Sequence, residues 1–315
     1  MGTPDRTDRT HVTNGTDIAS AIRALAAARR AVILAHNYQL GEVQDVADFV
    51  GDSLGLSRTA AETDADVIIF CGVHFMAETA KILAPSKTVI LPVLDAGCPM
   101  ADMITAPKLA AWKAEYPGVP VVTYVNSSAE VKALTDVCCT SANAAQVVAS
   151  LGVDTVLFAP DRNLAHWVAE QLPGVEVIAW NGFCPTHERI RAAHVIVAKE
   201  AHPGAEVLAH PECRPEVLEL ADAVLSTSGM LRRAVESPAD EFIVVTEEGL
   251  IHGLQQAAPG KRFWSLDPCA ICPNMKKTTL PDVLRSLTTL EPAIEVADDI
   301  ATAALAAVER MVEIG

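Results

Sequence analysis

The chain has 315 residues, half of them hydrophobic, and a net charge of −16. That is enough apolar material for a large core or for two to three modest domains. An acidic field with 4% aromatic residues argues against nucleic acid and anionic lipid as partners, and no apolar run approaches the ~18 residues that a membrane span needs.

The first 17 residues, "MGTPDRTDRTHVTNGTD", are polar and lack an apolar core. They read as a disordered arm (residues 1–17), not as a secretory signal. Cytoplasmic residence is the expectation, and thiols stay reduced there. Eight cysteines then point to metal, catalysis or core packing instead of a disulfide framework.

In chain order, short apolar runs follow: "AVILAHNY", "DVIIFCG", "TVILPV", "VPVVTYVN", "DTVLFAP", "VEVIAW", "AEVLAH", "EFIVVT" and "RFWSL". Ala-rich stretches with helical spacing, such as "LSRTAAET" and "ANAAQVVASLG", lie between them. Apolar strands alternating with helices predict parallel α/β structure. A longer period underlies this order. Cys98 to Cys184 is 86 residues and Cys184 to Cys272 is 88. Ser53 to Ser141 is 88, Ser141 to Thr227 is 86, and Phe70 to Phe158 is 88. Polar residues at strand ends recur together with the strands, which a generic α/β chain does not require. The reading is therefore three homologous βαβ-type repeats, each a small parallel sheet flanked by helices, around a pseudo-threefold axis. Their bounds are placed at 18–112, 113–200 and 201–290, followed by a C-terminal helix in 291–315.

Each repeat carries one cysteine after its last strand: Cys98 in "DAGCPMAD", Cys184 in "NGFCPTHE" and Cys272 in "CAICPNMK". Ligands of open α/β sheets bind at the carboxyl ends of strands, so three such units would bring three thiolates together. Structural zinc prefers four closed ligands. Three isolated cysteines suit a [4Fe–4S] cluster whose fourth iron is open to substrate as a Lewis acid. The bland alternative is three core cysteines. Cys71 and the Cys138–Cys139 pair sit in apolar strand contexts and read as core, and Cys213 is left unassigned.

Other polar residues collect at the same ends. His36 and Tyr38 close the first strand of repeat one, Tyr124 and Asn126 that of repeat two, His210 and Glu212 that of repeat three. Ser53, Ser141 and the pair Ser226–Thr227 follow the second strands, just before helices, where a hydroxyl is either an N-cap or part of an anion site. With His36 and His210 as positive elements, this lining predicts small carboxylate or phosphate substrates and proton-transfer chemistry. A cluster-bearing sensor would not need that lining. A hydro-lyase acting on another hydroxy-dicarboxylate would need no phosphate release.

The motifs "AHNYQ", "GDSL", "DAGCPMAD", "TYVNS", "TSANA", "GFCPTH", "AHPEC", "STSGM", "TEEGL" and "CPNMKK" together resemble the quinolinate synthase family, over about residues 19–312. The resemblance implies three similar α/β domains around one [4Fe–4S] cluster, with Cys98, Cys184 and Cys272 as its ligands. It implies condensation of iminoaspartate with dihydroxyacetone phosphate to quinolinate, phosphate and water in NAD biosynthesis, with functional coupling to an aspartate oxidase. It further implies Glu212, His210 and Tyr38 as catalytic residues. The substrate-binding set it implies is His36, Ser53, Tyr124, Val125, Asn126, Ser141, His210, Pro211, Glu212 and Thr227. Some members carry Cys-x-x-Cys-x-x-Cys near the C-terminus. Here Pro273, Asn274 and Met275 follow Cys272, and a Cys269–Cys272 disulfide would remove a cluster ligand.

Overall fold

The computed structural model describes residues 15–266 and 270–314. Among these, the strands form three parallel four-stranded sheets. The first repeat runs α1 (Gly15–Arg29), β1 (Ala31–His36), α2 (Gly41–Val46), β2 (Phe49–Gly51), α3 (Ser53–Glu62), β3 (Val67–Cys71), α4 (His74–Leu83) and β4 (Thr88–Ile90). The second runs α5 (Ala106–Glu115), β5 (Val121–Tyr124), α6 (Ala129–Lys132), β6 (Val137–Cys139), α7 (Ala144–Ser150), β7 (Thr155–Ala159), α8 (Arg162–Gln171) and β8 (Glu176–Ala179). After α9 (Pro185–Arg189), the third runs α10 (Ala192–Ala201), β9 (Glu206–Ala209), α11 (Pro215–Leu218), β10 (Ala223–Val224), α12 (Thr227–Glu236), β11 (Glu241–Val245), α13 (Leu250–Ala257) and β12 (Arg262–Ser265). Two helices follow, α14 (Leu280–Thr289) and α15 (Asp298–Glu313).

Each sheet has the same order, second strand, first, third, fourth: β2-β1-β3-β4, β6-β5-β7-β8 and β10-β9-β11-β12. The apolar runs dictate this layering. Every residue of β3 is buried, which a strand achieves only with helices on both faces. One polar device is written three times. The carboxylates of Asp48, Asp136 and Asp222 each accept a backbone N–H from the first half of the neighbouring first strand, of Ile33, Val121 and Val207, all at 2.8 Å. Each closes the sheet edge at the end remote from the carboxyl termini, and each lies 15 residues from its donor.

The last two helices return to the front of the molecule. α14 packs on α1 and β3, and its Leu280, Val283 and Leu287 share a core with Ile22, Ile33 and Ile69. α15 lies against β6, α6, α4 and α3, so it bridges the first two repeats. Arg58 on α3 donates to the Val312 carbonyl at 2.8 Å, and Asn143 donates to that of Met311 at 2.9 Å. These bonds cap the end of α15 from both repeats. Residues at the carboxyl edges of all three sheets line one central cavity.

Candidate active site

The cavity measures about 190 Å³ and is lined by all three repeats. His36, Tyr38, Tyr124, Asn126, His210 and Glu212 reach it from the ends of β1, β5 and β9. Ser53 and Thr227 reach it from the first residues of α3 and α12, and Ser141 from the turn that precedes α7. Cys98, Cys184 and Cys272 line it from the loops beyond the fourth strands. Val125 and Pro211 are buried but do not line it. They are the intervening residues that let their neighbours, two apart, face the same way. Cys269 and its disulfide option lie outside the described residues. Cys71, Cys138, Cys139 and Cys213 are buried in the cores of their own repeats.

The first-strand ends of repeats one and three share a local turn. The Tyr38 N–H donates to His36 Nδ1 at 3.1 Å, and the Glu212 N–H donates to His210 Nδ1 at 3.4 Å. A ring nitrogen that accepts cannot carry a proton, so Nε2 of each ring is the donor. His210 Nε2 sits 3.1 Å from Ser141 Oγ. Burial, partly offset by nearby carboxylates, lowers the pKa of His36 to about 4 and that of His210 to about 3. Both rings are therefore neutral near pH 7. The expectation that they supply positive charge is corrected: desolvation outweighs the carboxylates, and they act as hydrogen-bonding groups.

Glu212 is the hub. Tyr124 donates its hydroxyl to Oε1 at 2.6 Å, and His187 Nδ1 lies 2.8 Å from Oε2. Burial alone would raise the carboxyl pKa. The His187 ring, then His210 and the Tyr124 hydroxyl outweigh burial, and the net shift is downward. Burial first, and then the Glu212 charge, push the phenols of Tyr38 and Tyr124 well above their ordinary value, so both remain donors. Tyr38 Oη lies 2.6 Å from Thr246 Oγ1, and His187 Nε2 lies 2.8 Å from the same oxygen. A chain of polar groups thus runs Tyr38–Thr246–His187–Glu212–Tyr124. His187 and Thr246 belong to "GFCPTH" and "TEEGL", yet neither was singled out from sequence. His187 sits on a short helix three residues past Cys184, and its partners are distant in the chain.

The cap of α3 lies one residue before the expected Ser53, whereas Ser226 of the expected Ser226–Thr227 pair does cap α12. Asp52 Oδ1 accepts the Gly55 N–H at 2.9 Å and caps α3, and Ser226 Oγ accepts the Gly229 N–H at 3.2 Å and caps α12. Ser53 and Thr227 are the first helical residues, so their hydroxyls are not spent on the caps. Thr227 Oγ1 accepts from Asn37 Nδ2 at 2.9 Å. Asn126 Oδ1 is buried and has no hydrogen-bond partner among the described residues, although Asn126 lines the cavity.

Two metal arrangements are on offer. Among the described residues, Cys184, His187 and Glu212 present donor atoms within 4.8 Å of one another. His187 Nδ1, however, is 3.2 Å from Cys184 Sγ and 2.8 Å from Glu212 Oε2, which is hydrogen-bonding geometry. The three cavity-lining cysteines form the second arrangement. Burial raises their pKa, to about 12 for Cys98 and well above the ordinary value for Cys184, and upward for Cys272. Thiols in such surroundings ionise when a bound metal displaces their protons.

The family model for Quinolinate synthetase A protein matches residues 20–313. The quinolinate synthase of Thermodesulfovibrio yellowstonii is 56% identical over 92% of this chain and 96% of its own length. That of Geotalea uraniireducens is 53% identical over 95% and 98%. That of Dehalococcoides mccartyi is 52% identical over 94% and 98%. With a match over nearly its whole length and with three such relatives, the chain belongs to the quinolinate synthetase A protein family.

Proposed function

We propose that this chain is a quinolinate synthase that condenses iminoaspartate with dihydroxyacetone phosphate, releasing quinolinate, phosphate and water in NAD biosynthesis. One observation carries the reading from the structure's side. Strand ends and loops of three separate repeats deliver cysteine, histidine, tyrosine, hydroxyl and carboxylate groups to a single cavity. Family membership supplies the reaction.

In this reading Cys98, Cys184 and Cys272 hold a [4Fe–4S] cluster. The donor set supports it: one half-buried thiol per repeat, none in a disulfide, with no lysine or arginine hydrogen-bonded to them among the contacts described. When bound, such a cluster supplies a Lewis-acidic iron that polarises substrate oxygen. The chain's own residues do the rest. Ser53, Ser141 and Thr227 hydroxyls, the Asn126 amide and the Nε2–H groups of His36 and His210 hold the carboxylates of the dicarboxylate substrate. Small neutral donors in such a cavity bind these groups by hydrogen bonds to charged oxygen. Glu212, ionised and aligned by His187 and Tyr124, accepts a proton from substrate carbon. Tyr38, kept as a phenol, donates a hydrogen bond to substrate oxygen, while Tyr124 keeps its own on Glu212. Val125 and Pro211 set the spacing of their neighbours.

The imine substrate is the product of an amino-acid oxidation, so functional coupling to an aspartate oxidase is part of the reading. No described helix is long and apolar enough to cross a membrane, and a cytoplasmic site of action is proposed. The test is anaerobic reconstitution followed by assay of quinolinate and phosphate. Both should form in equal amounts. Dehydration of another dicarboxylate, without phosphate release, would favour a hydro-lyase and overturn the assignment.

A further inference from the structure

Glu247 follows β11 by two residues and lines the cavity, yet the reaction as derived gives it no task. Its carboxylate is fully buried and uses both oxygens. Oε1 accepts the backbone N–H of Cys272 at 3.0 Å, and Oε2 accepts that of Gly249 at 2.8 Å. Lys276 Nζ lies 2.9 Å from Oε1 and 3.0 Å from Oε2, and donates to the Tyr38 carbonyl at 2.8 Å. One buried ion pair therefore touches the loop of one cavity cysteine and the main chain of one cavity tyrosine. The three segments close tightly: a Cβ on Gly249 would lie 2.7 Å from both Lys276 Nζ and the Tyr38 oxygen. Gln44 Nε2 holds the carbonyls on either side of Tyr38, of Asn37 at 3.2 Å and of Gln39 at 2.9 Å, and leaves Tyr38's own to Lys276. The Tyr38 hydroxyl is held by Thr246, the residue beside Glu247.

We propose that Glu247 and Lys276 are positioning residues, a latch that fixes the Cys272 loop and Tyr38 relative to one another across the first and third repeats. A carboxylate that binds a backbone N–H orients the loop carrying it, and an ammonium with a third acceptor carries that constraint onward. Tyr38 is then gripped at both ends by consecutive residues, its hydroxyl by Thr246 and its carbonyl by Glu247 through Lys276. The latch rests on the reading that Cys272 is a cluster ligand and that Tyr38 faces the reacting groups.

The test uses the full chain in two forms. In the metal-free chain, alkylation of each cysteine is followed by mass spectrometry. Glu247→Gln should speed labelling of Cys272 by about tenfold while Cys98 and Cys184 keep their rates, because access to a half-buried thiol rises with local opening of its own segment. In the reconstituted enzyme, Lys276→Met should lower kcat by about 10- to 100-fold with KM nearly constant, and should add less than about threefold to the loss caused by Tyr38→Phe. Lys276 is 17% exposed, so Lys276→Met carries both arms should Glu247→Gln not fold. Uniform acceleration at all three cysteines, or losses at Lys276 and Tyr38 that multiply, would overturn the latch. Selective Cys272 labelling with a parent enzyme that makes no quinolinate would uphold the latch and overturn the reaction.

Discussion

Glu212 has one oxygen on the Tyr124 hydroxyl and the other on the His187 ring, which leaves its charge available and its direction fixed. Iron can polarise oxygen, but removal of a proton from carbon needs a side-chain base. Glu212→Gln should retain iron and dicarboxylate binding while turnover falls by about 10²–10⁴-fold, the usual contribution of a general base. A fall below about tenfold with iron retained would move the role to Tyr38 or His210. The neutral histidines make a separate prediction. His36 titrates near 6.5 in the unfolded chain and at about 4 when folded. The unfolded state therefore takes up a proton that the folded state refuses, and stability, full above pH 6.5, falls as pH drops toward 4. His210 adds to the same slope, with its folded value at about 3. The urea midpoint should fall between about pH 7 and pH 5, and His36→Gln should flatten that fall. An unchanged slope in the variant would contradict the burial argument. At this scale the strand-end residues were legible because they recur at the repeat period. His187 and Glu247 were not, because what singles them out is contact: with Glu212, 25 residues on, and with Lys276, 29 residues on.

The short helices α3 and α12 begin where hydroxyl-rich sequence follows a strand, and Asp52 and Ser226 spend their side chains on backbone N–H groups. Ser226→Ala should cost about 0.5–2 kcal/mol, as loss of an N-cap generally does. Because Asn37 still holds Thr227 Oγ1, KM for the dicarboxylate should change little; chemical denaturation and steady-state kinetics check the two halves. A large rise in KM with unchanged stability would mean that Ser226 binds substrate and does not cap. Strands were the most legible elements, since their apolar runs match β-sheet burial directly. The cap of α3 fell on Asp52 and not on Ser53 because aspartate and serine stand side by side in "GDS" and composition alone does not choose between them, whereas in "STS" the cap is Ser226, one of the two candidates. The docking of α14 and α15 on the first two repeats was illegible for a different reason. An amphipathic stripe announces that a helix is covered, not by what.

Across the whole molecule, three sheets of identical strand order point their carboxyl edges at one cavity, and the repeat spacing alone makes that convergence foreseeable. What spacing could not show is how the repeats are locked together. α15 bridges two of them, and the third is tied to the first by contacts that include Asn37 with Thr227, Tyr38 with Thr246 and Lys276 with the Tyr38 carbonyl. On the proposed reading, a cluster shared among repeats would make each ligand indispensable. Cys98→Ala, Cys184→Ala and Cys272→Ala should each lose most bound iron and all turnover, whereas Cys71→Ala, in the core of the first repeat, should keep both. Air should bleach the reconstituted protein, because an iron without a cysteine ligand is readily lost.

The most direct test of the central claim is quinolinate formation from iminoaspartate and dihydroxyacetone phosphate, measured anaerobically on one preparation before and after an iron chelator strips it. Activity should track iron content, vanish in the stripped protein and return on reconstitution with iron and sulfide. Undiminished quinolinate formation by the metal-free chain would contradict the assignment of Cys98, Cys184 and Cys272 to a catalytic cluster.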